Sequence, residues 1–502
     1  MILGTSPYLT MKLSYQEVAK HNRRDDCYVI LYNKVYDMTE FIPRHPGGEQ
    51  VIINYAGKDA TAVFDPIHAP GTIEKHLSKD KFKGELDINT VPEDIRRKKE
   101  EAENMEVERR KNVPPLSGCL NLFDIELVGT KVLNPTAWAY YSSAADDMES
   151  YNENREVFRR VWFRPRILRN VRNVDLSTKI LGYPSSLPIY ITATALGRLG
   201  HPDGEINLTT AAAREGITQM VPTLASCSVA EIAKARDEDG NPTQFFQMYV
   251  NSDHSVVEQM VRDAEELGFR GIFVTVDAPQ LGRRERDMRM YFDDGGSHVQ
   301  GGQEVQRDEG AARAISSFID PGLDWDDIAW IKSITRLPII LKGVQTWEDS
   351  VIAAEIGVSG IVLSNHGGRQ LDFSRSSLEV LVEVVDALRA RGLFPRPGFE
   401  IFVDGGFRRG TDILKALALG AKAVGIGRPF LYAYSAYGPD GVVHALRLLR
   451  AEMEMNMRLI GAPTLHDLVP EMVDLRALHA HGSSPATSDG TSVLDPMGKN
   501  KI

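Results

Sequence analysis

The sequence predicts an α/β protein whose main domain is a (β/α)8 barrel, preceded by a small separate domain. Short apolar runs recur eight times from residue 189 to residue 427, with helical stretches such as 256–267 and 378–391 between them. This alternation is typical of eight βα units closing a parallel barrel. A charged stretch separates the barrel region from the residues before it. The predicted strands are 189–194, 218–222, 244–250, 271–277, 338–342, 360–364, 400–404 and 423–427.

Composition indicates where the domains end. Residues 93–112 (EDIRRKKEEAENMEVERRKN) carry no apolar stripe wide enough to pack on a core, so they predict a solvated helix or a linker. The C-terminal residues show little apolar periodicity, so we expect a tail with few contacts of its own or one ordered against another subunit. The predicted divisions are a small domain at 10–88, a linker at 89–117, a large domain at 118–470 and a tail at 471–502.

Composition also excludes several function classes. The 502 residues are 42% apolar and 25% charged, as in soluble globular proteins, and the net charge of −11 argues against a general nucleic-acid binder. No apolar run approaches the roughly 18–20 residues that span a bilayer. Three scattered cysteines are too few for a disulfide framework and indicate reduced thiols in an intracellular protein. The first ten residues show neither a signal core nor an Arg-rich presequence.

The segment 364–370 (SNHGGRQ) is the most informative in the chain. It follows the apolar run 360–363, so its histidine and arginine lie at the end of a predicted buried strand. Histidine can move a proton near neutral pH, and arginine can hold a carboxylate through two hydrogen bonds. A glycine turn with a surface arginine is the simpler alternative. It is disfavoured because other reactive residues also lie at the C-terminal ends of predicted strands: Thr194, Gln247, Tyr249, Thr275, Asp277, Lys342, Asp404 and Arg428.

Two glycine-rich loops follow the last two predicted strands. The seventh strand runs into 404–410 (DGGFRRG) and the eighth into 425–430 (GIGRPF). Glycine N–H groups and a helix N-terminus suit a phosphate dianion, and barrels often bind phosphate after these strands. The two loops, each followed by an arginine, predict a phosphate site.

The small domain contains two histidines in loops. His45 begins the motif HPGG, and His68 lies 23 residues further on, with a short amphipathic helix predicted at 50–57 between them. Two imidazoles facing each other across an apolar cleft can ligate one iron porphyrin. Residues 12–88 resemble a cytochrome b5 domain. The resemblance implies an α+β fold and a haem b with both axial positions filled, which carries electrons and binds no substrate.

Residues 118–465 resemble the family of FMN-dependent 2-hydroxy-acid dehydrogenases and oxidases, most specifically in SNHGGRQLD. The resemblance implies that His366 is the active-site base, paired with Asp277, and that Tyr249 hydrogen-bonds the substrate hydroxyl. We expect Asp277 to raise the pKa of His366. The family pattern also implies a substrate site formed by Arg369, Tyr140, Arg284, Tyr249, Ala195 and Leu224.

The same resemblance implies the FMN-binding residues. Lys342 would lie at the N1/C2 edge of the flavin, and Arg408 and Arg428 would hold the phosphate. Pro222 stands where the family usually has serine, from which we expect an altered flavin potential with binding retained. The implied cofactor-binding residues are Ala193, Thr194, Ala195, Gln247, Thr275, Lys342, Asp404, Gly405, Gly406, Arg408, Gly427 and Arg428.

A haem domain fused to a flavin domain implies oxidation of an L-2-hydroxy acid, with L-lactate to pyruvate preferred. FMN would pass its electrons singly to haem b and on to cytochrome c or a similar acceptor. The alternatives are an H2O2-forming oxidase, a dehydrogenase for a larger 2-hydroxy acid, and a non-catalytic electron-transfer module. The resemblance further implies a homotetramer with no membrane span. It implies the mitochondrial intermembrane space, with the cytoplasm as the alternative because no presequence is visible.

Overall fold

The computed structural model describes residues 11–45, 48–238, 240, 242–291 and 318–478. Within them the chain forms a small α+β domain, a long helix and a closed barrel of eight parallel strands. The predicted fold class is therefore confirmed. Pro46 and Gly47 of the HPGG motif and residues 479–502 of the predicted tail lie outside the described residues.

The small domain is built on a five-stranded sheet that short helices cover. The strands β1–β5 are Lys12–Ser14, Asn22–Arg23, Asp26–Leu31, Lys34–Asp37 and Phe82–Asp87, and the helices α1–α4 are Tyr15–Val18, Glu49–Ile53, Thr61–Phe64 and Thr72–His76. The strand order is β1-β5-β4-β3-β2, in which β1 runs parallel to β5 and the other neighbours are antiparallel. The side chains of Val29, Leu31, Tyr36, Ile42 and Ile52 form part of the core between sheet and helices.

The charged segment between the domains is a helix, α5, which spans Glu93–Lys111. Acidic residues fill its first turn and basic residues its last turn, so both ends complement the helix dipole. Near its end, Arg110 donates hydrogen bonds to the carbonyl of Ser435 at 2.8 Å and to that of Gly200 at 3.2 Å. These contacts attach the otherwise solvated helix to the large domain.

The barrel contains all eight predicted strands, and each pairs in parallel with its neighbours. Two short hairpin strands precede it, β7 (Thr178–Ile180) and β8 (Tyr183–Ser185), and Ile180 joins the apolar interior. The barrel strands β9–β16 are Ile189–Ile191, Thr218–Pro222, Gln244–Met248, Ile272–Thr275, Ile339–Val344, Gly360–Leu363, Glu400–Asp404 and Ala423–Ile426.

The barrel interior has an apolar layer to which each strand contributes one residue. Because side chains alternate between the two faces of a strand, the residue two positions further on points inward one layer higher. That second layer is polar and includes Gln247, Thr275, Lys342 and Asp404, which are all buried. The apolar layer consists of Tyr190, Met220, Phe245, Phe273, Ile340, Val362, Phe402 and Ala423.

Helices surround the barrel and bury its outer face in a second, larger apolar cluster. The helices α6–α17 are Leu122–Val132, Pro135–Ser142, Glu149–Glu156, Ile206–Glu215, Val229–Glu238, His254–Glu266, Glu285–Met288, Trp325–Ile334, Trp347–Glu355, Ser377–Ala390, Gly410–Ala418 and Arg428–Ile460. The longest, α17, begins after Gly427, bends at Gly438 before Pro439 and packs against α6 and α9. No helix among the described residues is long and apolar enough to cross a membrane.

The first residues of the predicted tail pack on the large domain, which the composition did not indicate. Strand β17 (Val473–Asp474) pairs antiparallel with β6 (Trp162–Phe163). Leu478 is fully buried. Met472, Val473 and Leu478 join the apolar cluster around the barrel, so these few apolar residues anchor the segment.

Candidate active site

A cavity opens at the C-terminal ends of the barrel strands. It encloses about 1090 Å³, including the space open to solvent at its mouth, and residues from all eight βα units line it. The structure brings into this cavity every predicted site residue of the large domain except Asp277, which lies behind His366. These residues are Tyr140, Ala193, Thr194, Ala195, Leu224, Gln247, Tyr249, Thr275, Arg284, Lys342, His366, Arg369, Asp404, Gly405, Gly406, Arg408, Gly427 and Arg428.

His366 lies in a tight turn directly after strand β14, where its backbone adopts a φ of +57°. Two side chains stabilise the turn. Ser364 accepts a hydrogen bond from the N–H of His366 at 3.0 Å, and Asn365 accepts one from the N–H of Gly368 at 3.1 Å. Left-handed backbone at a residue other than glycine is costly and is found mainly where a function requires it. The turn directs the imidazole of His366 toward Asp277.

Burial decides the protonation state of His366. Burial lowers the pKa of His366, and the ammonium of Lys342 acts in the same direction. The carboxylate of Asp277 raises this pKa, as the sequence predicted, but its effect does not prevail. The predicted effect of Asp277 is therefore confirmed, but burial and Lys342 outweigh it, so that the pKa of His366 is lowered overall. A lowered pKa leaves the imidazole neutral at neutral pH, which is the form that can accept a proton.

A bulge in the neighbouring strand makes room for Asp277. The register of β13 shifts between Lys342 and Val344, and the intervening Gly343 has a φ of +109°. A Cβ atom at Gly343 would lie 2.5 Å from the Cβ and Cγ of Asp277. Burial alone would raise the pKa of Asp277, but His366 and Lys342 hold it below its usual value. Asp277 therefore stays ionised beside the base.

Lys342 supplies a positive charge at the inner end of the cavity. Its ammonium lies 3.5 Å from the Asp404 carboxylate and 3.5 Å from the hydroxyl of Ser364. Burial would lower the pKa of Lys342, but Asp404 and Asp277 keep it raised. Lys342 is thus a buried cation that can stabilise negative charge on a bound group.

Two arginines and two tyrosines line the end of the cavity where the substrate is expected. The guanidinium of Arg369 lies over the ring of Tyr140 at 5.0 Å and donates to the Tyr140 carbonyl at 2.8 Å. Burial, followed by the charge of Arg284, lowers the pKa of Arg369 to about 10, so it remains a cation at neutral pH. Burial and Asp277 raise the pKa of Tyr249 to about 12, so its hydroxyl remains neutral.

Sequence reasoning missed two residues near this end. Asp287 is buried on α12, and burial raises its pKa while Arg369 and Arg284 lower it. Its position three residues after Arg284 on a short helix was the available signal. Leu281 joins Ala195 and Leu224 in the cavity wall, and Leu281 and Leu224 pack against an apolar cluster that includes Ile319. No periodicity in the loop of Leu281 could have indicated it.

The opposite end of the cavity is shaped for a phosphate group. Gly427 caps α17, whose N-terminus therefore faces the cavity with the positive end of its dipole. Gly406 has a φ of +84°, and a Cβ there would lie 1.8 Å from the carbonyl oxygen of Asn154, so the loop accepts only glycine. Arg408 is buried beside Glu126, which keeps its pKa raised. These features fit the phosphate and ribityl chain of FMN.

Arg428 contacts mainly backbone. Its guanidinium donates to the carbonyls of Tyr141, Gly367 and Ser143, each at 2.9 Å. Two of its five N–H groups remain for another acceptor. Arg428 thus attaches the turn of His366 to the end of α7, and its contact with phosphate stays a prediction. Gln247 donates to the hydroxyl of Thr275 at 2.9 Å, which orients both side chains, and their contact with the flavin edge also stays a prediction.

The two histidines of the small domain face each other across its apolar cleft. Their ring centroids are 6.2 Å apart. Metal–imidazole bonds of about 2.0–2.1 Å would place two rings on one metal at about this separation. The Nδ1 atom of His45 lies 2.9 Å from the Gly48 carbonyl and that of His68 lies 3.0 Å from the Phe64 carbonyl, so both Nε2 atoms are left for iron. Burial lowers both pKa values and favours the neutral, ligating form.

A flavin-sized cavity with a base and a carboxylate clamp, on the same chain as a bis-histidine haem cleft, defines a flavohaem oxidoreductase. Residues 129–475 match the model of the FMN-dependent dehydrogenase family. Residues 14–87 match the cytochrome b5-like heme/steroid binding domain. The chain therefore belongs to the FMN-dependent dehydrogenase family, and it carries a cytochrome b5-like domain at its N-terminal side. FMN and haem are its cofactors.

Similar proteins share this two-domain organisation. The chain is 53% identical over 470 residues to the L-lactate dehydrogenase (cytochrome) of Wickerhamomyces anomalus, covering 93% of this chain and 81% of the relative. It is 48% identical over 492 residues to the protein of the same name from Saccharomyces cerevisiae, and the match covers 95% of this chain and 83% of the relative. A solved mutant flavocytochrome b2 with pyruvate bound is 47% identical, with a TM-score of 0.70, covering 76% of this chain and 93% of the solved one. The predicted resemblances to a cytochrome b5 domain and to the FMN-dependent dehydrogenases are confirmed.

Proposed function

We propose that this protein oxidises L-lactate to pyruvate and passes the electrons through its haem to cytochrome c. The observation that carries the proposal is the contact of His366 with Asp277 behind it, because His366 lines the same cavity as Arg369 and Tyr249. The names of the two relatives and the pyruvate in the solved neighbour support lactate as the substrate. The modest size of Ala195 and Leu224 suits its methyl group.

The side chains divide the work of the reaction. Arg369 and Arg284 bind the substrate carboxylate, and Tyr249 hydrogen-bonds the hydroxyl that becomes the ketone. Nε2 of the neutral His366 accepts one of the two protons that the oxidation releases, and Asp277 stabilises the imidazolium. FMN, when bound, takes the two electrons. The positive charge of Lys342 would stabilise the negative charge that gathers at the edge of the reduced flavin.

Anaerobic mixing of the holoenzyme with a panel of 2-hydroxy acids tests this function. Flavin and haem absorbance are followed separately. We expect L-lactate to bleach the flavin first and then to reduce the haem, with cytochrome c accepting the electrons in a coupled assay. If the flavin were reduced while the haem stayed oxidised, and the flavin were reoxidised once air was admitted, the protein would instead be the H2O2-forming oxidase. If a bulkier 2-hydroxy acid reduced the flavin faster than L-lactate, that acid would replace lactate as the proposed substrate.

The homotetramer is the second part of the proposal. Trp162, Ile167, Leu168 and Leu459 are at least 66% exposed, and the N–H of Arg166 donates to the Ile460 carbonyl, which brings Ile167 and Leu168 close to Leu459. Exposed apolar patches of this kind indicate a protein interface. Light scattering should give about four times the chain mass of 55.8 kDa. Leu168→Asp should reduce that mass, whereas the exposed Val107→Asp on α5 should not. A monomeric wild type would contradict the proposal.

The mitochondrial intermembrane space is the location that we propose, and only the family resemblance supports it. Fractionation of the source cells, followed by protease protection of intact and swollen mitochondria, tests this. We expect the protein to resist protease until the outer membrane is ruptured. Recovery in the cytosolic fraction would support the alternative.

A further inference from the structure

The loop that carries the haem ligand His68 lies directly on the large domain. The hydroxyl of Ser226 donates a hydrogen bond to the carbonyl oxygen of Pro66 at 2.6 Å. The next residue, Ile67, packs against the apolar cluster that surrounds the barrel. Ser226 is fully buried. One side of the loop therefore faces the haem cleft through His68, and the other side faces the barrel through Pro66 and Ile67.

Charged side chains of the two domains also act on one another across the boundary between the small and the large domain. On the small domain the hydroxyl of Tyr32 donates to Asp65 at 2.6 Å. Burial and Asp65 raise the pKa of Tyr32 to about 12, and the positive charge of Arg198 acts from the large domain in the opposite direction. Arg198 follows β9, and its backbone N–H donates to the hydroxyl of Ser226 at 3.2 Å. The large domain thus presents a cation to the acidic side of the haem-ligand loop.

A buried carboxylate holds this surface in place. Glu205 is fully buried and accepts three backbone hydrogen bonds, from Gly197 at 2.8 Å, Ser226 at 3.0 Å and Cys227 at 3.1 Å. Gly197 belongs to the loop after β9, and the other two residues belong to the loop after β10. A single side chain therefore joins two loops that are separate in sequence, and hydrogen bonds to a charged acceptor are the stronger kind.

The same two loops also form the wall of the active site. Ala195 and Leu224 line the cavity, and the N–H of Leu196 donates to the Leu224 carbonyl at 3.4 Å. Leu224 is two residues from Ser226, and Pro66 is two residues from His68. Two residues span at most about 7 Å, so this contact is a short connection between the cavity wall and a haem ligand.

We propose that Ser226 is the docking residue that holds the haem-ligand loop on the barrel for electron transfer, and that Glu205 is the positioning residue for Ser226. The proposal rests on the function proposed above. In each transfer the reduced flavin loses one electron and one ferric haem becomes ferrous, while Ser226 exchanges no atom. Its role is to keep the two domains in the arrangement in which this transfer is fast.

Ser226→Ala in the full-length holoenzyme tests the docking residue. The variant removes the hydrogen bond to the Pro66 carbonyl and also the acceptor of the Arg198 N–H. Loss of the bond to Pro66, which is the one between the domains, should lower haem reduction by roughly 2- to 12-fold, while flavin reduction by L-lactate stays within about twofold of wild type. Ser228→Ala is the matched control, because Ser228 lies on the same loop but its hydroxyl bonds Glu231 at 2.9 Å. The control should leave both steps unchanged. Equal haem reduction in all three proteins would overturn the proposal.

Hydrogen exchange provides a readout that is independent of turnover. Residues 64–68 should exchange faster in Ser226→Ala than in the wild type or the Ser228→Ala control. Unchanged protection of 64–68 would also overturn the docking role. If L-lactate failed to reduce the wild-type flavin, the proposed substrate would be wrong, but the exchange measurement would still decide whether Ser226 docks the loop.

Glu205→Gln tests the positioning residue. The amide keeps the size of the side chain but turns an NH2 group toward N–H donors, so at least one of the three hydrogen bonds is lost. We expect haem reduction to fall at least as far as in Ser226→Ala, with faster exchange at 226–227. If Glu205 acts through Ser226, the double variant should lose no more than Glu205→Gln alone. Fully additive losses would separate the two residues and overturn this part of the proposal.

Discussion

Nδ1 of His366 lies 3.0 Å from Oδ1 of Asp277, and the other carboxylate oxygen of Asp277 is buried with no hydrogen-bond partner among the described residues. The single contact fixes the ring so that Nε2 is left for the substrate. It also provides a negative charge next to a base whose pKa burial has lowered. The imidazole of His366 is therefore neutral before the reaction. Once it has accepted a proton, His366 and Asp277 form an ion pair.

Removing the base should stop the chemistry without emptying the site. His366→Gln keeps the approximate size of the side chain but cannot accept the proton. We expect flavin reduction by L-lactate to slow by at least about 100- to 10,000-fold, the usual contribution of a general base. FMN content, measured by absorbance after release, should be normal. Near wild-type reduction in stopped flow would remove His366 from the mechanism.

The pH dependence should report the lowered pKa of His366. Flavin reduction requires the neutral imidazole, so the rate should be lost only as the pH falls through a value below 6.5, the ordinary pKa of histidine. Asp277→Asn removes the carboxylate that favours the imidazolium. The acid limb should therefore move to still lower pH, while the maximal rate falls because the product imidazolium is no longer stabilised. An acid limb that moved upward in Asp277→Asn would contradict this account.

The bulge at Gly343 can be tested against a matched glycine. Gly343→Ala adds a methyl group 2.5 Å from Asp277, at a φ of +109°. Gly357→Ala also falls at a positive φ, +73°, but meets only the end of Lys332 at 3.5 Å. Both variants should lose roughly 1–2 kcal/mol of unfolding free energy from backbone strain alone, and Gly343→Ala should lose more. Only Gly343→Ala should slow flavin reduction, and equal slowing in both would show that the packing on Asp277 is unimportant.

The carboxylate clamp should distinguish acids from neutral analogues. Arg369→Lys keeps the charge but loses the planar fork, which should lower kcat/KM for L-lactate by about 10- to 150-fold. Arg369→Met should lower it further, because Arg284 alone then faces the substrate. Lactamide should be a poor substrate of the wild type and should lose much less in either variant. An equal loss for acid and amide would mean that Arg369 supports the fold or the flavin.

The haem ligands should be separable from the flavin chemistry. His68→Ala or His45→Ala should abolish the low-spin haem spectrum and cytochrome c reduction, while flavin reduction by L-lactate and dye reduction persist. His76→Ala is the control, since its ring lies 6.5 Å from that of Phe41 but is largely exposed. It should retain the haem. Loss of flavin reduction together with the haem would contradict the division of labour between the two domains.

The sequence alone determined the eight strands and the residues at their ends. Alternation along a strand is a local property, so Phe245 and Gln247, or Ile340 and Lys342, can be assigned to one inward face from their spacing alone. The two histidines of the small domain could also be singled out from the sequence, because each stands in a loop close to a proline. Two features were less well predicted, since both depend on distant contacts. The helix predicted at 50–57 spans Glu49–Ile53, and the first residues of the tail pair with a strand of the large domain.

Only the tertiary structure decided how these residues act on one another. The pKa of His366 is lowered because burial and Lys342, which is remote in sequence, outweigh Asp277. Arg428, predicted as a phosphate ligand, also gives three of its N–H groups to carbonyls of two other segments, which the sequence did not indicate. Burial and charge act through space, and a linear pattern carries neither the solvent exposure of a group nor the identity of its neighbours. Residue types and their period are therefore readable from sequence, whereas protonation states and shared contacts require the fold.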